Sequence, residues 1–280
     1  MKQCWPSKDH MIKNIFVSVI YIFFFATPSF GLEIVKGKAI QGSLLIVKTE
    51  EGHEIMLDEK PLMVSKDGYA VFGFHRDDTD EVTLKSLKNN EVLSILTITP
   101  EVREYKEQRI NGLPKKMVTP PQEVLDRIKN DREIVGAARA YNTPIEAFLG
   151  TFEWPSYGII TGVYGSRRIL NNKPRAPHYG IDIAAPKGTP VSAPQAGIIR
   201  MVEDLYYTGW TIILDHGHGV SSTFLHLENT SVQIGERVEK GDLIGTVGST
   251  GRSTGPHLDW RVNWFDKRLD PALLVGPMPQ

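Results

Sequence analysis

The chain has 280 residues, 41% of them hydrophobic and 23% charged, with a formal net charge of -1. That length accommodates two ordinary domains, and that balance belongs to a globular rather than a disordered protein. No basic excess exists to hold a phosphate backbone, so a nucleic-acid partner is set aside.

Residues 1–31 are a different material. Lys2, Lys8 and Lys13 precede an almost unbroken apolar run from Ile15 to Ala26, followed by Thr27-Pro28-Ser29-Phe30-Gly31. This reads as a signal peptide with Ser29 and Gly31 at the −3 and −1 positions. The run is shorter than the ~20 residues a bilayer span needs, which weighs against a retained anchor. Cys4 is the single cysteine and lies inside this segment, so the exported chain would use neither disulfides nor a catalytic thiol. Such a chain suits the periplasm or cell envelope of a bacterium.

Residues 32–100 read as short strands separated by turn residues. Leu44–Lys48 and Ile55–Leu57 flank Glu50-Glu51-Gly52-His53; Leu62–Val64 and Tyr69–Phe74 flank Lys66-Asp67-Gly68; Val82–Leu87 and Val92–Ile98 flank Lys88-Asn89-Asn90. Three successive hairpin signals predict a small β-sandwich-like module. Residues 101–150 read as a helical connector. Thr119-Pro120-Pro121-Gln122 has a capping-box pattern, and Val124, Ile128, Val135 and Ala138 follow at helical spacing. Thr143-Pro144-Ile145-Glu146 repeats the start signal for a second, short helix. From 151 to 280, Gly and Pro punctuate β-rich runs, with strands expected at Ile198–Val202, Thr211–Asp215, Ser221–Leu227 and Leu258–Val262. The chain is therefore expected to be mainly β, ending in an antiparallel β domain.

The chemistry concentrates in that last segment. Catalytic zinc keeps three protein ligands and one open position, and it takes His nitrogen and carboxylate oxygen readily. His178 and Asp182 are four apart, too far for one ion on a straight strand of ~3.3 Å per residue, but Gly180 between them permits a bend. His257 and Asp259 alternate on one strand and so share a face. One of them could bind metal while the other meets substrate. His226 ends a separate strand.

His178-Tyr-Gly-Ile-Asp182-Ile-Ala-Ala-Pro186, Phe224-Leu-His226-Leu227 and Ser253-Thr-Gly-Pro-His257-Leu-Asp-Trp260 together resemble the signature of the lysostaphin/LytM-type zinc metallopeptidases. Val238–Gly248 resembles that family's hammerhead-like β repeat, and the likeness covers about residues 152–275. The resemblance implies a duplicated hybrid motif fold, one Zn²⁺ per chain, and hydrolysis of peptide bonds in peptidoglycan. It places His178 and Asp182 on two zinc ligands, and His226 and His257 on the catalytic histidines. Asp259 falls where the family has a third ligand, a His. A carboxylate there is a competent ligand, leaves the formal charge of the zinc centre at zero, and should acidify bound water less. The other reading is a degenerate envelope protein that binds peptidoglycan or activates another cell-wall hydrolase. An envelope regulatory partner is compatible with either. A lipoyl or biotinyl carrier is disfavoured, because Lys240-Gly241-Asp242 lacks the Met-Lys-Met tip.

Asp215-His216-Gly217-His218-Gly219 mimics a metal cluster but suits a tight β-turn. Tyr206, Tyr207 and Trp210 are candidates to line a groove, and Arg175 to meet an acidic peptide, although ordinary surface roles explain them as well. His53 and His75 have no evident partners in the sequence.

Overall fold

The computed structural model describes residues 1–2, 31–110 and 120–279. The expected signal segment lies almost wholly outside these residues, and so does Thr119 of the expected capping box. The molecule is mainly β. In the N-terminal part, β1 (Glu33–Lys36), β2 (Leu44–Lys48) and β5 (Tyr69–Gly73) form one sheet. The strands β3 (Glu54–Leu57), β4 (Lys60–Leu62), β6 (Val82–Lys88) and β7 (Glu91–Ile98) form the other.

Only the last of the three expected hairpins closes as one. β6 and β7 pair directly around Asn89 and Asn90, both at positive φ, as a primed turn requires. The Gly52 turn instead carries the chain from one sheet to the other, since β2 pairs with β1 and β5, and β3 with β4 and β6. The reason lies in β2 itself. Leu45 and Val47 face the module's own core, with Ala70, Phe72 and Leu84. Leu44 and Ile46 face the opposite way, into the core of the C-terminal domain beside Val71, Val262 and Leu269. A strand apolar on both faces needs a central position, and β2 takes it.

The stretch expected to be a helical connector is more mixed. It holds a strand, β8 (Glu107–Ile110), and one α-helix, α1 (Leu125–Arg139). The second expected helix is a single 3-10 turn at Ala147–Leu149. The α1 helix is preceded by a 3-10 turn at Gln122–Val124 and has no side-chain cap. It packs Ala138, with Ile134 and Val135, on Met201, Leu205 and Ile213. Asp131 accepts a hydrogen bond from Tyr206 N–H at 2.7 Å, which fixes the helix to the domain.

The C-terminal part adds β9 (Ile159–Gly162), β10 (Arg167–Leu170), β11 (Lys173–Arg175), β12 (Ile181–Ala184), β13 (Pro190–Ser192) and β14 (Gly197–Leu205). It continues with β15 (Gly209–Gly217), β16 (Val220–Thr230), β17 (Arg237–Val238), β18 (Leu243–Val247), β19 (His257–Trp264) and β20 (Lys267–Leu269). The main sheet runs β17-β14-β15-β16-β19-β12-β9, and its pairings are antiparallel. β8, β10 and β11 form a separate small sheet in which β8 runs parallel to β10. The residues before the helix therefore build one wall of the groove described next.

Candidate metal centre and groove

The register of the main sheet assembles the centre. Asp182 on β12 and Asp259 on β19 are directly opposed partners, and His257 lies opposite Ala184. Two carboxylates side by side repel unless a cation or donor lies between them. His178, just before β12, supplies one such group. Its backbone is pinned by hydrogen bonds from Gly165 N–H to its carbonyl (2.7 Å) and from its N–H to the Ser166 carbonyl (2.9 Å). His178 Nε2 lies 3.0 Å from Asp182 Oδ1 and 3.5 Å from Asp259 Oδ2. One ligand atom from each of the three residues falls within 4.8 Å of the other two.

Gly180 and Gly162 make this approach feasible by lacking a side chain. A Cβ on Gly180 would collide with Asp259 Oδ1, Arg261 Cγ and the Trp260 carbonyl, and one on Gly162 with the Asp182 carboxylate. Neither glycine is at positive φ. The chain bends at Gly180, as expected from the sequence, and the missing side chain also allows the close approach.

Two arginines complete the centre, and the sequence reading missed both. Arg261, two residues beyond Asp259 on the same face of β19, donates from Nη2 to Asp259 Oδ2 (2.5 Å) and from Nε to Oδ1 (3.0 Å). Arg168 on β10 donates from Nη2 to Asp182 Oδ2 at 3.0 Å. Its Nε donates to Gln108 of β8 at 3.3 Å. Burial acts to raise the Asp259 pKa, but Arg261 and His178 outweigh it and hold the carboxyl well below its usual range. Burial likewise acts to lower the His178 pKa, and the two carboxylates overcome it to raise the net value.

The donor set fits a zinc ion. One imidazole and two carboxylates make an ordinary ligand set with a vertex to spare. Both ring nitrogens of His178 are buried without a well-formed hydrogen bond, although anionic oxygens stand close by. A cation among these three groups would satisfy Nε2, the ring nitrogen that faces the carboxylates. The arginines do not forbid it, because each carboxylate oxygen has two lone pairs.

His226 and His257 stand beside this cluster with ring centroids 4.8 Å apart. Each directs Nδ1 at a backbone carbonyl, His226 at Thr250 (2.7 Å) and His257 at Gly255 (2.8 Å). A carbonyl only accepts, so both rings carry a proton on Nδ1 and turn Nε2 outward. His257 Nε2 lies 4.0 Å from Asp182 Oδ1. His226 reaches its place through an irregularity in the β15–β16 register, with its backbone at φ 63°. Such left-handed residues are uncommon outside glycine and cluster at functional sites. Burial is the main cause that pushes its pKa down to about 4, so the ring is neutral near pH 7.

These groups open into a groove of about 380 Å³, lined also by Thr161, Tyr207, Arg252 and Ser253. Of the other residues singled out in the sequence, Tyr207 lines the groove. Trp210 lies elsewhere on the surface, and Arg175 is exposed on β11. His216 is fully buried between the Ala196 carbonyl and Ser222 Oγ, and His218 stacks on Phe148. Asp215 accepts from Arg200, Thr143 and the Gly217 N–H. Asp215, His216 and Gly217 end β15, His218 and Gly219 form the tight turn into β16, and both histidines serve packing. His53 meets Ser86, and His75 stacks on Tyr179.

Residues 176–271 match the profile of peptidase family M23. Over 87 residues the chain is 40% identical to the peptidoglycan DD-endopeptidase ShyA of Vibrio cholerae, a match covering 31% of this chain and 20% of that protein. Over 103 residues it is 40% identical to the DD-carboxypeptidase/endopeptidase Mpg of Neisseria meningitidis, covering 37% and 24% respectively. The chain thus spans about a quarter or less of the length of these curated relatives. Among solved structures, a putative M23 peptidase from Pseudomonas aeruginosa aligns at TM-score 0.68 and 28% identity, covering 85% of this chain and 96% of that one. The ligand cluster, the paired histidines and the β scaffold all lie within or against the matched segment, and residues 176–271 of this chain form a peptidase family M23 domain.

Proposed function

We propose that the groove is the active site of a zinc-dependent endopeptidase that hydrolyses peptide bonds in the stem or cross-link peptides of peptidoglycan. The observation that carries this is the convergence of His178, Asp182 and Asp259 on one point, beside two imidazoles whose Nε2 atoms face the same groove. His178, Asp182 and Asp259 would hold one zinc ion. When bound, the ion polarises the scissile carbonyl and acidifies water.

The chain's own groups handle the protons. His226 is neutral, and its Nδ1–H is committed to Thr250, so Nε2 is set to take a proton from the attacking water. His257, anchored to Gly255, presents Nε2 beside Asp182, where its protonated form would donate to the oxyanion or to the departing amine. Arg261 and Arg168 orient the two carboxylates, and Arg261 holds that of Asp259 ionised. Export to a bacterial envelope, as expected from residues 1–31, belongs to the same reading.

One observation favours a second reading, a catalytically silent domain that binds peptidoglycan or activates another hydrolase. Both carboxylates already accept charged hydrogen bonds from arginines, which could substitute for a metal. Zinc stoichiometry of the purified protein and digestion of isolated sacculi separate the two. One zinc per chain and new muropeptides support the enzyme. Binding to sacculi with no released muropeptide and no zinc supports the silent domain and refutes the enzyme.

A further inference from the structure

Beside the groove, α1 lies over the main sheet and encloses a second cavity, of about 160 Å³. Its walls carry Arg132 and Arg139 of α1, Arg261 of β19 and Arg268 of β20, against a single acidic residue, Asp131. Thr223 and Arg261 are cross-strand partners, as are Leu225 and Asp259. Cavity and groove therefore lie side by side on one face of the sheet, and Arg261 belongs to both. An outer depression shares Arg132, Val135, Arg139 and Arg268 with the cavity, and Arg132 is exposed there, so the site borders solvent.

A helix face laid on a sheet is ordinarily apolar. Here Arg132 and Arg139, two turns apart, share that face with Val135. Among the described residues, the one ion pair made by these four arginines is that of Arg261 with Asp259. The Asp131 carboxylate accepts from Tyr206 N–H, and Asp266 is exposed on the outer depression. Arg139 Nη2 donates to Thr223 Oγ1 at 3.2 Å, while its Nε is buried with no hydrogen-bond partner. Arg268 Nη1 donates to Asn263 Oδ1 at 3.3 Å. Burial, with repulsion from Arg268 and Arg261, holds the Arg139 pKa well below its usual value. Burial and Arg261 push that of Arg268 down to about 10. A guanidinium remains charged at neutral pH even so, and loss of a proton does not relieve the crowding. A counter-ion does.

The arrangement also selects the shape of that ion. A carboxylate offers two oxygens in one plane, which matches one guanidinium. These guanidiniums come from a helix and two strands, and a tetrahedral oxyanion offers oxygens in several directions at once. Thr223 Oγ1 accepts from Arg139 and keeps its own hydrogen to donate. At ~30 Å³ per water the cavity holds about five waters, room for one compact ion and not for a nucleotide or peptide. We infer that this cavity is a binding site for a single tetrahedral oxyanion, inorganic phosphate or sulfate, held by Arg139 and Arg268 with Arg261 and Thr223. The site is separate from the peptidase reading and does not depend on it.

Calorimetric titration of the full chain with inorganic phosphate, in EDTA and at constant ionic strength, tests this. One ion per chain should bind with a dissociation constant of about 1 mM or below. Sulfate should compete for the site, and acetate should not. Arg139→Met and Arg268→Gln should each weaken binding by about tenfold or more, while Arg168→Gln, in the neighbouring groove, should leave it unchanged. Phosphate should also raise the wild-type urea midpoint along a saturating curve. General stabilisation by an excluded salt would not saturate and would persist in Arg139→Met. Without phosphate, Arg139→Met should match or exceed the wild-type midpoint, because it removes an uncompensated charge and keeps the volume.

No saturable phosphate binding, or binding that survives in both Arg139→Met and Arg268→Gln, would overturn the inference. Loss of binding in Arg168→Gln would place the ion in the groove and overturn it too. A clear fall in the phosphate-free midpoint of Arg139→Met would show that Arg139 is satisfied without an anion, with the same consequence. Zinc uptake and sacculus digestion are read separately, so failure of either proposal leaves the other standing.

Discussion

Asp259 has two roles that measurements with and without zinc can separate. It is a prospective zinc ligand, and it is also the counter-ion of Arg261 and a neighbour of His178. Its side chain is 2% exposed and that of Arg261 is 21% exposed, so the pair is shielded on the carboxylate side and partly wet on the other. At an effective dielectric of ~20, opposite charges about 3–4 Å apart attract by roughly 4–5 kcal/mol before desolvation is subtracted. Truncating one member of such a pair costs ~3–5 kcal/mol, because the stranded partner keeps its desolvation penalty. Asp259→Ala in zinc-free buffer should therefore lower stability by about 3–5 kcal/mol, or roughly 10 °C in Tm for a domain of this size. The assay is urea unfolding in EDTA followed by tryptophan fluorescence. Arg261→Met in the same background should recover part of the loss, with a coupling of roughly 2 kcal/mol. Adding zinc at a hundredfold its Kd should stabilise the wild type by about 2.7 kcal/mol and leave Asp259→Ala unmoved. A wild-type midpoint for Asp259→Ala in EDTA, or strict additivity with Arg261→Met, would falsify the fork as a stabilising element.

Other outcomes follow from the same geometry. His226→Ala and His257→Ala should each reduce peptide hydrolysis by about 10²- to 10⁴-fold while zinc stoichiometry stays at one; loss of zinc in either would reassign that histidine as a ligand. Gly180→Ala should cost about 1–3 kcal/mol and weaken zinc binding, since its Cβ meets Asp259 and Arg261; unchanged zinc affinity by calorimetry would contradict this. His216 is buried with its pKa pushed down to about 4 from 6.5, mainly by burial. The depressed value means the neutral ring stabilises the fold above pH 6.5, and that contribution fades as pH falls toward 4. Between pH 7.5 and 4.5 the loss should be roughly 2–3 kcal/mol. His216→Asn should flatten that part of the urea-midpoint profile, and an unchanged profile would exclude His216 as its source.

What the sequence made legible, and what it hid, divides along the range of the interactions. The strand β6, with Val82 and Leu84 at alternate positions, stood near the expected position because period 2 is a local signal. The pairing of β2 was hidden in plain view. Leu44-Leu-Ile-Val47 is apolar at every position, and such a run marks a strand buried on both faces rather than half of a surface hairpin. β8 carried no such mark. Glu107-Gln-Arg-Ile110 is polar, and only its parallel partner β10, some sixty residues away, makes it a strand.

The candidate metal centre shows the same division at the scale of single side chains. The His178–Asp182 spacing and the shared face of His257 and Asp259 pointed to one cluster, and the three ligand atoms do converge. Arg261 was equally readable, because His257, Asp259 and Arg261 alternate along one face of β19, and the partner of a buried carboxylate is often its strand neighbour two residues on. Arg168 was not readable, since nothing local ties β10 to Asp182. Together these arginines change what the aspartate at 259 means. A histidine ligand would be neutral and would need no counter-ion, whereas a second carboxylate opposite Asp182 brings a like-charge contact that must be offset when no metal is bound. Arg261 offsets it. The aspartate and the arginine are thus one unit, and testing either alone measures the stranded charge of the other.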